Sequence, residues 1–295
     1  MGAVAAKLEK KQYQHGDVIM EVRNLTKYFP VRLSFIQSLK TDKPPVLKAV
    51  DNVSFDVYKG EVLGIVGESG CGKTTLARTI LRLTDATSGS VELEDVDIMR
   101  LNPIEMKNLR RKMQVIFQDP YESMNPRMDV QTIISEPLRI QGIASTVHQA
   151  RDVVASVLAD VEMIPPEEYM SRYPHELSGG QRQRVAVARA LALDPDFIVA
   201  DEPVSMLDVS IRGEVLNLML NLSREKGVTF VYITHDLATA RHICDRIAVM
   251  YLGKIVEMGT AEEVIRNPLH PYTTALIGAV FVPDPTHRGL SEVLK

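Results

Sequence analysis

The chain has 295 residues, of which 45% are hydrophobic and 24% charged, a composition ordinary for a folded α/β protein with room for added subdomains. Its 34 basic and 38 acidic side chains leave a net charge of −4, which excludes a global attraction to nucleic acid. The two cysteines, Cys71 and Cys244, lack CxxC spacing, which argues against a disulfide framework or a cysteine-rich metal site. Apolar runs are too short for a signal peptide or a membrane span, so we expect neither.

The N-terminal part of the chain predicts several strands. We expect residues 1–17 to be flexible and residues 18–22 to form the first strand. Residues 31–46, interrupted by two prolines, predict an extended loop or a hairpin insertion. Alternation over residues 53–57 predicts an antiparallel strand with one solvent-facing side. Residues 61–66 are nearly all apolar and predict a buried parallel strand, which leads through a glycine-rich loop into a helix over 74–83.

The remaining chain predicts a parallel sheet with a helical insertion. Residues 130–176 are helical in pattern, without the signal of a further parallel strand. A helix over 180–193, a strand over 197–200, a helix over 211–226 and a strand over 229–234 then restore the alternation typical of a parallel sheet. We therefore expect one α/β domain over residues 18–261, with the insertion at about 119–180, followed by a proline-punctuated helical extension over 262–295.

The glycine-rich loop has the spacing GxxxxGKT. Its residues are Gly67, Glu68, Ser69, Gly70, Cys71, Gly72, Lys73 and Thr74, and Thr75 follows them. Glycines let backbone amides wrap a phosphate, and the N-terminus of the following helix adds partial positive charge. In this pattern Lys73 reaches the β- and γ-phosphates, and Thr74 supplies an oxygen to Mg²⁺. The strand, loop and helix together favour an ATP site with Mg²⁺ over an ordinary glycine turn.

Asp201 and Glu202 follow a strand that is apolar at every position. A solvated strand edge would explain such a pair if it stood alone. Because ligands bind at the carboxyl edge of parallel sheets, the phosphate loop favours a functional interpretation. We predict that Asp201 holds Mg²⁺ and that Glu202 polarises the attacking water, as phosphoryl transfer requires.

Gln118 and His235 each follow an apolar strand. The Gln118 amide could touch both Mg²⁺ and the hydrolytic water, whereas a glutamine taken alone is more often a hydrogen-bonding loop residue. His235 could act at the phosphate, or it could be structural, beside an Asp236 that caps the next helix. The other motifs favour the functional alternative for both residues.

A second glycine-rich element carries a family resemblance. The segment Leu177, Ser178, Gly179, Gly180, Gln181 resembles the signature sequence of ABC ATPases, and the other motifs are similar in type and order over residues 18–283. The resemblance implies a RecA-like P-loop NTPase core with an N-terminal antiparallel β subdomain and an inserted α-helical subdomain. It also implies that Gln118, Glu202 and His235 serve hydrolysis.

The same resemblance implies a head-to-tail dimer. Ser178, Gly179, Gly180 and Gln181 of one protomer would contact ATP held by the phosphate loop of the other, and Asp208 would lie in the D-loop between them. An aromatic residue would stack on adenine, with Phe29 favoured by register and Tyr28 as the alternative.

A narrower resemblance points to the ATPases of oligopeptide and dipeptide importers. Segments 118–128 and 267–273 resemble theirs, and the insertion before Val46 is most similar to that of the second of the two ATPases that such importers carry. This implies transmembrane permease subunits, a second ATPase chain (a heterodimer, with a homodimer as the alternative) and an extracytoplasmic binding protein as an indirect partner. It also implies a peripheral position on the cytoplasmic face of the membrane. Met206, Glu122 and Met124 depart from the family pattern without altering a phosphate, metal or water position.

Three alternatives remain open from the sequence. Relatives of peptide importers also carry oligosaccharides or metal chelates, and the ATPase does not touch the cargo. A non-transport ABC ATPase acting on ribosomes or DNA is a second alternative, although such proteins usually carry two ATPase units or a long coiled coil. A nucleotide-binding module without turnover is a third, and the presence of Glu202 and His235 argues against it.

Overall fold

The computed structural model describes residues 14–31 and 45–279, which form two sheets surrounded by helices. The first sheet is antiparallel and has the strand order β2-β1-β4-β5, with β1 at Val18–Pro30, β2 at Val46–Tyr58, β4 at Ser88–Leu93 and β5 at Val96–Asp97. The predicted antiparallel strand over 53–57 lies within β2 and is confirmed, and its alternate residues are buried. The strand predicted over 18–22 continues to Pro30.

The predicted insertion over 31–46 falls mostly on residues 32–44, which lie outside the described part of the chain. Its two ends are in register, because Pro30 pairs with Val46 and the Val31 amide donates to the Pro45 carbonyl at 2.9 Å. Val46 is therefore a strand residue and not part of a loop, which corrects the predicted boundary. Such edges are hard to place from sequence because valine suits both states.

The second sheet carries the predicted parallel core. Its order is β10-β9-β3-β8-β7-β6, with β3 at Val62–Val66, β6 at Met113–Ile116, β7 at Phe197–Asp201, β8 at Thr229–Thr234, β9 at Arg246–Tyr251 and β10 at Lys254–Thr260. All neighbouring strands are parallel except β10, which runs antiparallel to β9. The strands predicted over 61–66, 197–200 and 229–234 are confirmed, and every residue of β3, β7 and β8 is buried.

The helices lie on both faces of this sheet and in the insertion. They are α1 at Lys73–Ile80, α2 at Pro103–Leu109, α3 at Pro120–Ser123, α4 at Val130–Ile140, α5 at Arg151–Asp160, α6 at Pro166–Met170, α7 at Gly179–Leu191, α8 at Val209–Lys226, α9 at Leu237–Ile243, α10 at Ala261–Arg266 and α11 at Pro271–Gly278. Every residue between β6 and β7 is described and none forms a strand, so the helical insertion is confirmed. None of the helices in residues 14–31 and 45–279 combines the length and the hydropathy that spanning a bilayer requires.

The parallel sheet is buried on both faces because its residues alternate between two cores. Leu63 and Ile65 pack with the antiparallel sheet and α1, whereas Val62 and Val66 pack with the helices of the insertion and with α7 and α8. Because both faces of the sheet are covered, a ligand can reach these strands only at their ends. The loops after β3, β6, β7 and β8 meet at this edge, since parallel strands all end on the same side.

Candidate nucleotide-binding and hydrolysis site

The glycine-rich loop connects β3 to α1 and approaches its neighbours too closely for side chains. A Cβ atom on Gly72 would lie 2.1 Å from the Ala49 carbonyl oxygen, and one on Gly67 would lie 2.2 Å from that of Met250. Gly72 also has a φ of 115°, which disfavours other residues. The glycines therefore let the loop sit against β2 and β9, with its backbone turned toward the carboxyl edge of the sheet.

Lys73 begins α1, is only 5% exposed and lies under the loop. Its ammonium group donates to the carbonyl oxygens of Gly67 at 2.7 Å and Glu68 at 2.9 Å. A buried ammonium group is stabilised by such acceptors. Its third hydrogen bond goes to Cys71 Sγ at 4.0 Å, and because a thiol is a weak acceptor, an anion held in the loop would replace it. The lysine is thus placed where a phosphate would compensate its charge.

A cavity of about 560 Å³ opens above the loop. Two residues predicted for hydrolysis, Gln118 and Glu202, line it. Eight of the predicted nucleotide-binding residues line it as well: Phe29, Ser69, Gly70, Cys71, Gly72, Lys73, Thr74 and Thr75. Gly67 and Glu68 lie at the base of the loop and do not line it. Phe29 is 37% exposed at the cavity, whereas the Tyr28 hydroxyl is hydrogen-bonded to Asp51, so the structure favours Phe29 as the aromatic wall.

Thr74 and Asp201 meet across the sheet edge. The Thr74 hydroxyl donates to the Asp201 carboxylate at 3.3 Å, and Asp201 is 7% exposed. Burial raises the pKa of Asp201, and the hydrogen bond from Thr74 offsets part of this effect. A hydroxyl and a buried carboxylate form an oxygen donor set that suits a hard divalent cation such as Mg²⁺.

The Glu202 carboxylate is contacted by two side chains, those of Gln118 and His235. The three residues follow or end three different strands of the parallel sheet. The Gln118 amide donates to Glu202 Oε2 at 3.2 Å, and His235 Nδ1 lies 3.1 Å from Glu202 Oε1. Glu202 has a φ of 48°, and its amide donates to the Ile233 carbonyl at 2.9 Å. This left-handed backbone turns the carboxylate out of the strand direction, and the structure brings together the three side chains that the sequence predicted for hydrolysis.

The glycine-rich element at the start of α7 lies apart from this cavity. Ser178 is the N-cap: its hydroxyl accepts from the Gln181 amide at 3.2 Å, and the Gln181 side chain accepts from the Ser178 amide at 3.0 Å. Ser178 is exposed and Gly180 is buried against Ile211, with Gly179 between them. Asp208 is exposed at the N-cap of α8. None of these residues lines the cavity of its own chain, so they would need another protomer to reach a nucleotide.

Comparison with known proteins decides the family. Residues 50–205 match the ABC transporter family, and residues 256–294 match the C-terminal region of oligopeptide and dipeptide transporters. The oligopeptide transport ATP-binding protein OppF of Bacillus subtilis is 52% identical over 243 residues, covering 82% of this chain and 79% of that protein. This chain belongs to the ABC transporter ATPase family.

Two further relatives agree with this ABC ATPase assignment. A probable peptide ABC transporter ATP-binding protein of Sinorhizobium fredii is 47% identical over 95% of this chain and 77% of its own length. Among solved structures, the dimeric post-hydrolysis state of the ATP-binding cassette MJ0796 with ADP and Pi has a TM-score of 0.70 at 29% identity, covering 82% of this chain and 98% of that one. The predicted α/β P-loop NTPase fold and the predicted relation to peptide-importer ATPases are both confirmed.

The ABC ATPase cavity also contains residues that sequence reasoning missed. Val46, Leu47, Lys48 and Ala49 of β2, and Leu252 and Gly253 between β9 and β10, complete its lining. Their sequences carry no motif and are typical of strand and turn residues. Only the packing of the antiparallel sheet against the glycine-rich loop brings them to the cavity, so a local pattern could not have identified them.

Proposed function

We propose that this chain hydrolyses Mg²⁺-ATP to energise the import of oligopeptides or dipeptides. The observation that carries the hydrolytic part is the contact of Gln118 and His235 with the Glu202 carboxylate, at the mouth of the cavity that contains Lys73 and Thr74. A fixed carboxylate beside a phosphate site is what in-line attack by water on the γ-phosphate requires.

Different residues of the site bind the phosphates, activate the attacking water and hold the metal ion in the proposed hydrolysis of ATP. The loop amides and Lys73 hold the phosphates and neutralise their charge, and Phe29 offers a ring face to the base. Glu202 orients the attacking water and accepts its proton, while Gln118 and His235 hold that carboxylate in place. Thr74, Asp201 and Gln118 would hold the Mg²⁺ ion, which would neutralise charge on the phosphate oxygens.

The signature residues support a dimeric site. Because Ser178, Gly180, Gln181 and Asp208 do not reach the cavity of their own chain, a second ATPase would supply the equivalent groups across the nucleotide. The start of α7 offers backbone amides to an anion, as helix N-termini do. The dimer of the solved cassette with 29% identity supports this arrangement. We propose a different ATPase chain as the partner, with a homodimer as the alternative.

The C-terminal match supports peptide import. Residues 256–294 match the C-terminal region of oligopeptide and dipeptide transporters. The similar proteins are named as oligopeptide transport, probable peptide ABC transporter and putative peptide import ATP-binding proteins. We therefore propose that the chain binds permease subunits at the cytoplasmic face of the membrane and that an extracytoplasmic binding protein delivers the cargo.

The test is reconstitution of the chain with its neighbouring transporter subunits in proteoliposomes. ATP enclosed on the ATPase side should drive uptake of labelled di- to pentapeptides, and a complex carrying Glu202→Gln should not. Uptake of oligosaccharides or metal chelates in place of peptides would overturn the cargo assignment and leave the ATPase role intact. Failure of the chain to associate with any permease would overturn the transport role.

A further inference from the structure

Helix α11, the last helix of the described residues, contacts the phosphate-binding loop directly. Tyr272, in the second position of α11, accepts a hydrogen bond from the Glu68 backbone amide to its hydroxyl at 3.1 Å. These residues are 204 positions apart in sequence. Glu68 lies at the base of the loop and outside the cavity lining, so Tyr272 supports the loop from behind and leaves the nucleotide face open.

Several contacts hold the Tyr272 side chain in this position. Its ring packs on that of Tyr251 with 4.2 Å between centroids, and its backbone amide donates to His270 Nδ1 at 3.1 Å. Upstream, the Glu257 carboxylate accepts from the amides of Leu269 at 2.8 Å and His270 at 2.9 Å. The start of α11 is therefore fixed to β10, and the tyrosine hydroxyl has a defined location.

A second support holds the other side of the loop. The Gly253 amide, in the turn after Tyr251, donates to the Cys71 carbonyl at 2.9 Å. Tyr251 thus links the two supports, since its ring contacts Tyr272 and its chain continues into the turn. The loop is clamped at Cys71 by this turn and at Glu68 by the C-terminal segment.

We propose that Tyr272 is a positioning residue for the phosphate-binding loop and that segment 267–278 thereby sets the nucleotide affinity of the site. The proposal rests on the proposed function, because it requires that the cavity bind nucleotide. Without this hydrogen bond the loop would spend more time in conformations that do not bind nucleotide. The apparent Kd for nucleotide rises as the fraction of molecules with a binding-competent loop falls. Loss of one neutral hydrogen bond corresponds to roughly a two- to tenfold change. By reciprocity, bound nucleotide stabilises the segment by the same factor.

The experiment compares Tyr272→Phe with Tyr251→Phe in the full-length chain. Both changes keep the ring pair and remove one hydroxyl, but only Tyr272 bonds to the loop. We expect the Kd for Mg²⁺-ADP and for a non-hydrolysable ATP analogue, measured by calorimetry, to rise about two- to tenfold in Tyr272→Phe. Tyr251→Phe should match the wild type. In the assembled ATPase, KM for ATP should rise with little change in kcat.

Hydrogen exchange provides the second measurement. The analogue should slow exchange of segment 267–278 in the wild type, and this protection should be weaker in Tyr272→Phe. A Tyr272→Phe chain that binds nucleotide with the wild-type Kd would overturn the inference, and so would a loss of nucleotide-free stability without a change in Kd. If the wild type itself binds no nucleotide, the proposed function fails instead, so the two failures are distinguishable.

Discussion

Glu202 is fixed by its backbone as well as by its side-chain partners. Its φ of 48° lies in a region that glutamate adopts reluctantly, and its amide is bonded to the neighbouring strand at Ile233. Strained residues persist where the surrounding structure over-determines them, often at sites of chemistry. The carboxylate, 15% exposed, is held between Gln118 and His235 and has little freedom to turn away from the cavity.

Replacing Glu202 with Gln should therefore stop hydrolysis while preserving ATP binding. The amide keeps the shape and the hydrogen-bonding geometry but does not accept the proton of water, so we expect kcat to fall roughly 10²–10⁴-fold. Single-turnover hydrolysis and a nucleotide titration measure the two effects. Glu225→Gln, an exposed carboxylate on α8, is the matched control. A Glu202→Gln variant with wild-type turnover would refute the base assignment.

At the scale of elements, the start of α7 depends on close packing against α8. A Cβ atom on Gly180 would lie 2.5 Å from Ile211 Cγ2, whereas one on Gly179 would meet Leu207 Cδ2 at an ordinary 3.4 Å. Two neighbouring glycines in the same motif are thus under different constraints. Gly180 is therefore required for the packing of α7 against α8, whereas packing does not require a glycine at position 179.

Gly180→Ala should lower the free energy of unfolding by about 1–3 kcal/mol, because α7 or Ile211 must shift. Gly179→Ala should leave it unchanged or raise it by up to about 1 kcal/mol, since alanine favours helix. Urea unfolding of the nucleotide-free chain measures both values. Equal destabilisation by the two substitutions would contradict the packing argument.

A second element-scale prediction concerns the anchor of α11. Burial acts to raise the pKa of Glu257, but the Leu269 amide, the nearby Thr273 hydroxyl and the His270 amide together outweigh it, and the pKa lies below its ordinary 4.5. A lowered pKa means that the carboxylate stabilises the fold above pH 4.5 and loses this effect as pH falls through its folded value.

Glu257→Gln should therefore cost about 0.5–1.5 kcal/mol near neutral pH. The difference from the wild type should shrink as pH falls below about 4.5, because only the wild type takes up a proton there. Unfolding free energies at several pH values test this expectation. Glu262→Gln, an exposed residue on α10, serves as the control. A pH-independent difference would show that the charge of Glu257 is not what anchors the segment.

At the scale of the whole molecule, the proposed dimer would divide each nucleotide site between two chains. Lys73 lies in the cavity and Ser178 lies outside it, so one chain contributes to two different nucleotides in the proposed dimer. Lys73→Ala should weaken nucleotide binding by the isolated chain roughly 10–100-fold, because it removes a charged donor.

Ser178→Arg should leave that binding unchanged and lower hydrolysis by the assembled complex roughly 10²–10³-fold, as loss of a transition-state donor does. Titration of the isolated chain and ATPase assays of the complex separate the two outcomes. If Ser178→Arg impaired binding by the isolated chain as much as Lys73→Ala, the two-chain site would be excluded.

Elements with a strong local pattern were predictable, and elements that depend on distant contacts were not. The apolar runs of β3, β7 and β8 identify buried strands by composition alone. By contrast, β4 and β5 were not predicted, because β4 contains two serines and a glycine and β5 has only two residues. Both segments form strands because of pairing with distant parts of the chain: β4 pairs with β1, and β5 pairs with β4.

The sequence alone determined the chemistry of this protein, because phosphate, metal and water ligands must be of particular types at particular spacings. GxxxxGKT and the two carboxylates at the end of β7 indicate nucleotide hydrolysis in any arrangement that keeps a parallel sheet. Only the tertiary structure decided which groups are in contact. Gln118 and His235 contact the Glu202 carboxylate, β2 lines the cavity beside the glycine-rich loop, and the Tyr272 hydroxyl accepts a hydrogen bond from that loop. Such contacts depend on how separate elements pack, and no local pattern of residues encodes that packing.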